Sequence, residues 1–531
     1  MATVRDITYD LLRALRLTTV FGNPGSTEEP FLGDFPADFT YVLALQEASA
    51  VAMADGYAQA SNRPVHVNLH TAPGVGNGMG GLVTAWHNKT PLIVTAGQQS
   101  REMLLIEPRL TSVRATELAQ PYVKWAYEPV RAQDIPAALM RAYATAVQPP
   151  TGPVLLSLPL DDWSQPAAGV PALRSLSTRY APDPQRLREF AEALAASRNP
   201  VLVTGGGLDR GGGWPAAVAL AERLRAPVWS APASERVGFP ESHRQFQGFL
   251  PFAIGPLAER LRGHDVVLVV GAPVFRYYPY LPGDYLPVGA RLLHVTDDPD
   301  EAARAPVGDS LVADPELTCT ALAGLLPVAH RPGPPARPAT PVPEPGTPPS
   351  PDAFFAVLAS AWPADAILVQ EAPSSLSALR RQLRVNRPGS YFASASGGLG
   401  YGLPAAVGIA LAERDSGRNR PVVAVIGDGS FQYSVQALWT AAQLSLPVVF
   451  LVLVNQQYAI LKAFARLKRT PGVPGLDLPG LDIPAIARGF GCGAATVAAV
   501  ADLPDALAAG LRADGPTVLA VPISTEVPAL L

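Results

Sequence analysis

Cysteine is nearly absent from this chain, with only Cys319 and Cys492 among 531 residues. Two thiols so far apart supply neither a disulfide framework nor the paired spacing of a zinc site, and they suit a reducing cytoplasm. Charge is also scarce, at 16% of residues, and it sums to −4. Without a basic excess there is no electrostatic footprint for nucleic acid or for an acidic membrane surface. Long apolar runs are missing too. The longest near the C-terminus, "LPVVFLVLV" ending at Val454, falls well short of the roughly 18 residues that suggest a membrane span. The N-terminal stretch "MATVRDITYDLLRALRLTTVFGNPGS" carries charges along its helix-like part and has no unbroken apolar core, so it does not read as a signal peptide. The expectation is a soluble, cytoplasmic protein.

What is present is a large apolar inventory, 48% of residues, on a chain longer than the roughly 250–300 at which single cores stop growing. Short runs rich in Val, Ile and Leu, among them "PVHVNLH", "PLIVTAG", "NPVLVTGGG", "DVVLVVGAP" and "PVVAVIGDG", alternate with helix-like segments. Apolar on both faces, they read as parallel strands covered by helices, so the class is α/β. The proline-rich stretch "HRPGPPARPATPVPEPGTPPSPDA" from His330 can be neither helix nor inner strand and reads as a stiff linker. A softer break near Asp161 divides what precedes it. Three units are expected, 1–165, 185–330 and 352–531, with 331–351 as the linker.

Two features carry chemistry. In the third unit, "VVAVIGDGSFQYSVQALWTAAQLSLPVVFLVLVNQQY" reads as strand, Gly-Asp-Gly turn, helix, strand and then Asn455. A right-handed crossover brings Asp428 and Asn455 together at the carboxyl edge of the sheet. Oxygen ligands from two such loops suit a hard cation such as magnesium, with calcium an alternative. Gly427 and Gly429 allow close backbone approach, and a helix expected to start near Ser430 would turn its free amides toward a phosphate. The second feature is Glu47, which heads the alanine-rich run "LALQEASAVAMADGYAQAS". With helical period, this acid lies close to a face that should exclude charge. It is either a first-turn acid favoured by the helix dipole or a buried carboxylate with a functional partner.

The Gly-Asp-Gly and Asn455 spacing resembles the metal and diphosphate motif of the thiamine-diphosphate enzymes. Further stretches, "TVFGNPGSTEEPFL", "LHTAPGVGNGMGGL", "GHDVVLVVGAPVFRY" and "GGLGYGLPAA", are similar to 2-keto acid decarboxylases of that family, closest to the benzoylformate decarboxylase branch. The resemblance implies pyrimidine-binding, central and diphosphate-binding domains in that order. It implies thiamine diphosphate held by Glu47, Ser374, Gly397, Leu399, Asp428, Gly429, Ser430, Asn455 and Tyr458, and a metal held by Asp428, Asn455 and the backbone carbonyl of Gln457. Glu47 then bonds the aminopyrimidine ring and so activates the cofactor. Ser26, His70 and Tyr278 take the remaining catalytic positions. Ser26, His70, Leu110, Ile460, Leu461 and Phe464 line a pocket for an aromatic or branched 2-keto acid, which is cleaved to an aldehyde and carbon dioxide. Because relatives place the two cofactor-binding domains on different chains, the resemblance implies a homodimer at least, and a homotetramer.

The chain also departs from that pattern. Tyr278 stands where the family has a second histidine, and phenols donate hydrogen bonds but rarely titrate near neutrality. Val454, Gln456 and Gln457 stand where Asn, Gly and Thr are usual, and Gln456 is strained if its position needs positive φ. These departures leave open a carboligase or lyase that uses the same cofactor, and a cofactor-binding protein without turnover. The central "VLVTGGGLDRGGGW" has Gly205 and Gly207, with Asp297 after a later strand, yet lacks the third glycine of a dinucleotide fingerprint at the required spacing.

Overall fold

The computed structural model describes residues 2–169, 171–344 and 346–530. Met1 and Leu531, the outer bounds expected for the first and third units, and Pro345 of the expected linker lie outside the described residues. Three six-stranded sheets follow one another along the chain. The first contains β1 (Thr19–Gly22), β2 (Thr40–Leu43), β3 (Val65–Leu69), β4 (Leu92–Gln98), β5 (Ala126–Tyr127) and β6 (Val154–Pro159) in the order 2-1-3-4-6-5. The second contains β7 (Pro200–Thr204), β8 (Val228–Ser230), β9 (Phe246–Phe249), β10 (Val266–Val270), β11 (Arg291–Thr296) and β12 (Asp309–Val312) in the order 12-11-10-7-8-9. The third contains β13 (Ile367–Glu371), β14 (Tyr391–Ala393), β15 (Val422–Gly427), β16 (Val448–Val454), β17 (Gly493–Thr496) and β18 (Thr517–Pro522) in the order 14-13-15-16-18-17. Every pairing within the sheets is parallel, as for β1 with β3, β7 with β10 and β13 with β15. The central strands are buried on both faces, which is why their sequences run apolar without alternation.

In each sheet the strands are laid to both sides of the first one, and the switch falls at β1/β3, β7/β10 and β13/β15. Such a switch point opens a crevice beyond the carboxyl ends of the strands. Asn23 and His70 emerge at the first, and Ser374 and Asp428 at the third. At the second, Gly205 and Gly207 pack on the loop after β10: a Cβ on Gly205 would fall 2.4 Å from the Ala272 Cβ, and one on Gly207 2.8 Å from the Gly271 Cα. The central glycine run therefore serves strand-end packing.

The first and third sheets share one core. The helix Glu47–Ser61 lies against the helix Gly402–Asp415, and Val51, Met53 and Ala54 of the first join Ala405, Val407 and Ile409 of the second in one apolar cluster. The contact is so close that a Cβ on Gly408 would sit 1.9 Å from the Met53 carbonyl oxygen. Residues 326–350 contain no helix or strand among those described, and they run past the third unit, where the Thr340 hydroxyl donates to the Arg381 carbonyl at 2.9 Å. Both cysteines are buried and free. No helix among the described residues is long and apolar enough to cross a membrane.

Gly408→Ala forces the two helices apart, and overpacking of this kind costs about 1–3 kcal/mol. The expected result is a lower unfolding midpoint in urea, and an unchanged midpoint would contradict the packing described.

Candidate active site

At the edge of the first sheet, Glu47 is the first residue of its helix, with Gln46 as N-cap, and is only 8% exposed. It is thus both a first-turn acid and a buried one. Its Oε1 accepts from Asn23 Nδ2 at 3.1 Å and its Oε2 from Asn77 Nδ2 at 3.0 Å. No cation pairs with it among the described residues, so each oxygen keeps a lone pair for another donor.

His70 follows β3 as N-cap of the next helix and is held from behind. Its Nδ1 lies 2.7 Å from Glu28 Oε2 and 3.1 Å from the Thr27 hydroxyl. The Glu28 side chain is almost wholly buried. Its Oε1 accepts from the Gly97 amide at 2.8 Å and from the Thr27 hydroxyl at 2.8 Å. An acceptor-only carboxylate at Nδ1 keeps the proton there and leaves Nε2 as the nitrogen free to act. Gly25 permits this approach, since a Cβ there would lie 2.2 Å from His70 Nδ1. Ser26 is exposed on the same turn. Leu110, at φ 67°, lies in a loop fastened to the end of β4, where the Gln99 side-chain amide donates to the Arg109 carbonyl at 2.8 Å.

At the edge of the third sheet, Asp428 is 3% exposed. Its Oδ1 accepts from the Gly429 amide at 2.8 Å, and its Oδ2 from the amides of Asn455 at 3.0 Å and Gln456 at 2.6 Å. Burial pushes the Asp428 carboxyl above its usual range, against these three amides. Asn455 Oδ1 accepts from the Gln457 amide at 3.2 Å. A hollow of about 30 Å³ is lined by Asp428, Gly429, Ser430, Asn455, Gln457 and Tyr458, and by Ser374 and Leu399 from the segments that follow β13 and β14. Its donor set is oxygen throughout and includes a buried carboxylate, which fits a hard divalent ion. Beside it opens a cleft of about 1500 Å³, and Ser374, Leu399, Tyr458 and Ile460 border both spaces. Gly397, Tyr278, Leu461 and Phe464 line the cleft, and the Tyr278 and Phe464 rings lie 4.8 Å apart. Ser26, Glu47, His70 and Leu110 line neither space. The structure therefore assembles the expected residues into two groups, one at the edge of the first sheet and one about the edge of the third, which Tyr278 joins from the loop after β10.

One local expectation is corrected. The helix placed near Ser430 is a single turn, Asp428–Phe431, and the next helix begins only at Ala437. Between them the Ser434 hydroxyl donates to the Gly400 carbonyl at 2.9 Å, which ties this break to the segment that carries Gly397 and Leu399. Gln456 does take the left-handed conformation, at φ 56°. The Gln457 side chain turns away from the hollow: its Nε2 donates to the Thr525 carbonyl at 2.6 Å, and its Oε1 accepts from Lys462 Nζ at 2.5 Å.

Comparison with known proteins decides the family. Residues 2–117 match the N-terminal thiamine pyrophosphate (TPP) binding domain of the thiamine pyrophosphate enzymes, 187–322 their central domain and 374–521 their C-terminal TPP binding domain. The chain is 51% identical to a benzoylformate decarboxylase of Pseudomonas aeruginosa, over 99% of its own length and 100% of the relative's. The chain belongs to the thiamine pyrophosphate enzyme family. The crystal structure of benzoylformate decarboxylase from Polynucleobacter necessarius superposes with a TM-score of 0.98 at 51% identity, covering 100% of both chains. A thiamine diphosphate-dependent 4-hydroxybenzoylformate decarboxylase of Rhodococcus jostii RHA1 gives 0.95 at 44% identity, over 99% of this chain and 100% of that one.

Sequence reasoning missed several residues that hold this thiamine pyrophosphate enzyme's site in shape. Asn23, Thr27, Glu28 and Asn77 act through side-chain bonds that no periodicity reveals. Glu371, 5% exposed at the end of β13, accepts from the amides of Gly400 at 2.8 Å, Tyr401 at 2.8 Å and Gly402 at 2.5 Å, and so fixes the loop that carries Gly397 and Leu399. Only the apolar setting of "AILVQEAP" hinted at a buried acid there. Burial pushes the Glu371 carboxyl up to about 7, against these three amides.

A folded-state value above the usual 4.5 gives a contribution to stability that is full below about pH 4.5 and is lost as pH rises through about 7. Glu371→Gln is expected to flatten the fall in thermal midpoint across that interval; a fall as steep as in the parent would contradict this. At Gln456 a β-branched side chain suits the left-handed region worst. Gln456→Val should be less stable than Gln456→Gly by about 1–2 kcal/mol in denaturant titrations, and equal stabilities would show that the turn carries no strain.

Proposed function

We propose that this protein is a thiamine-diphosphate-dependent carboxy-lyase that converts an aromatic or branched 2-keto acid, benzoylformate or a close analogue, to an aldehyde and carbon dioxide. The observation that carries this reading is the 51% identity to benzoylformate decarboxylase along the whole chain. In the proposed division, 1–165 binds the pyrimidine ring, 185–330 is the central domain, and 352–531, after the 331–351 linker, binds the diphosphate.

Thiamine diphosphate supplies the nucleophilic carbon and the electron sink that decarboxylation needs. The chain's own residues supply the rest. Glu47, aimed by Asn23 and Asn77, holds a proton at a carboxylate oxygen against the pyrimidine. Asp428, Asn455 and the Gln457 carbonyl hold magnesium, with Gly429, Ser430, Ser374 and Tyr458 toward the diphosphate. Leu399 and Gly397, fixed by Glu371, shape the cofactor's seat. Ser26 binds the substrate carboxylate, and His70 moves a proton at Nε2, the nitrogen that Glu28 leaves free. Ile460, Leu461 and Phe464, with Leu110, offer the side chain an apolar wall that excludes water. Tyr278, its ring tilted against that of Phe464, donates a hydrogen bond where relatives have an acid–base group.

A complete site requires the edge that bears Glu47 to face the cleft of a second copy, so the working unit is a homodimer or a homotetramer of such dimers, acting in the cytoplasm. The exposed Leu45, Met103, Leu105, Ile106, Leu110 and Val113 around that edge support an apolar interface.

The test is a panel of 2-keto acids offered to protein loaded with thiamine diphosphate and magnesium, with aldehyde and carbon dioxide both measured. Benzoylformate is expected to give benzaldehyde, removal of the cofactor to abolish it, and Tyr278→His to raise kcat. Loaded protein that consumes none of the 2-keto acids would overturn the reading, and an acyloin formed in place of aldehyde would assign a carboligase.

A further inference from the structure

Three arginines converge where the proline-rich stretch meets the third unit. Arg337 Nη2 and Arg384 Nη1 both donate to the Arg380 carbonyl at 3.3 Å. Arg380 itself is only 8% exposed, and its Nε is buried without a hydrogen-bond partner. Its guanidinium carbon lies 4.4 Å from the Phe249 ring centre and 5.3 Å from that of Phe252. Aromatic faces steady a cation but offer no proton acceptor.

Two groups favour the charged Arg380, the Tyr391 phenol, a neutral hydrogen-bond acceptor beside the guanidinium, and the Glu241 carboxyl, which forms no ion pair with it among the described residues. Glu241 also serves Arg337 and Arg384, and its Oε2 is engaged by the Val385 amide at 2.9 Å. Burial pushes the Glu241 carboxyl up to about 7, which weakens the one nearby counter-charge further. A buried cation this poorly compensated is costly unless something else completes it.

Arg380 lines the large cleft together with Ser374, Ser377, Phe252 and Tyr391. Ser377 precedes it by three residues on the helix Leu376–Gln382, so the two side chains share a face, and Ser377 is exposed. We propose that Arg380 and Ser377 form an oxyanion subsite in the cleft that takes a carboxylate or phosphate group, separate from the position assigned to Ser26. Two sources fit that chemistry, a free inorganic anion or a second carboxylate at the far end of a 2-keto acid. Only the second source rests on the decarboxylase reading.

The test uses protein loaded with thiamine diphosphate and magnesium, comparing the parent with Arg380→Gln and Ser377→Asp, the latter placing a carboxylate beside the guanidinium. In one arm inorganic phosphate is titrated calorimetrically. In the other, kcat/KM for 4-carboxybenzoylformate is divided by that for benzoylformate. A loss of about tenfold or more in phosphate affinity in the variants assigns a free anion, and a similar fall in the kcat/KM ratio assigns a substrate carboxylate. The phosphate arm stands even if no keto acid is turned over. Ser377→Asp, at an exposed position, decides the matter if Arg380→Gln does not fold. Parent and variant that agree in phosphate affinity and in the ratio, or a parent that binds no phosphate and gives an unchanged ratio, would overturn the subsite.

Discussion

The structure depends on a carboxylate kept out of water without a cation. Glu47 lies at the start of a helix whose remaining turns are packed into the core shared by the first and third sheets, so it cannot swing to solvent. Removing such a group from water is unfavourable unless its oxygens find donors. Here two asparagine amides provide one bond each, from the end of β1 and from the helix that follows His70. Neutral amides orient the carboxylate without neutralising it, which leaves it able to bond a further polar group presented across the sheet edge.

The same logic recurs on the third sheet. Asp428 and Glu371 are buried acids whose partners are backbone amides, and each fixes a loop at the carboxyl edge. Backbone donors bring no side-chain rotamers of their own to be fixed, so only the acid of each cluster is ordered in making these bonds. The departures at Gln456 and Gln457 fit this scheme. The first tolerates a left-handed turn while its amide serves Asp428, and the side chain of the second ties the turn to the C-terminal stretch at Thr525. In the central sheet, glycines at the corresponding place are used for contact between strand ends, so one topology serves a site in two sheets and packing in the third.

Much of this can be read from the residues in order. The double-sided apolar runs name the strands, the Gly-Asp-Gly turn and Asn455 name the carboxyl edge that bears Asp428, and Glu47 is conspicuous because it heads an alanine-rich helix. Arrangements built from tertiary hydrogen bonds cannot be read this way. Glu28 is one of two adjacent acids in "GSTEEP" until folding puts His70 beside it, and Asn23 and Asn77 matter only because a loop and a helix meet at Glu47. The bond that anchors the break after Phe431 is equally hidden, since the Gly400 carbonyl that accepts from the Ser434 hydroxyl comes from a distant segment.

The most direct test of the account is the rate at which the thiazolium C2 proton of bound thiamine diphosphate exchanges with deuterium, followed by quenched-flow NMR in the parent and in Glu47→Gln. The account predicts that the variant still binds the cofactor, through the Asp428 edge, while exchange slows by at least about a hundredfold, the lower range for a positioned acid–base group. Exchange at the parent rate in a fully loaded variant would contradict it.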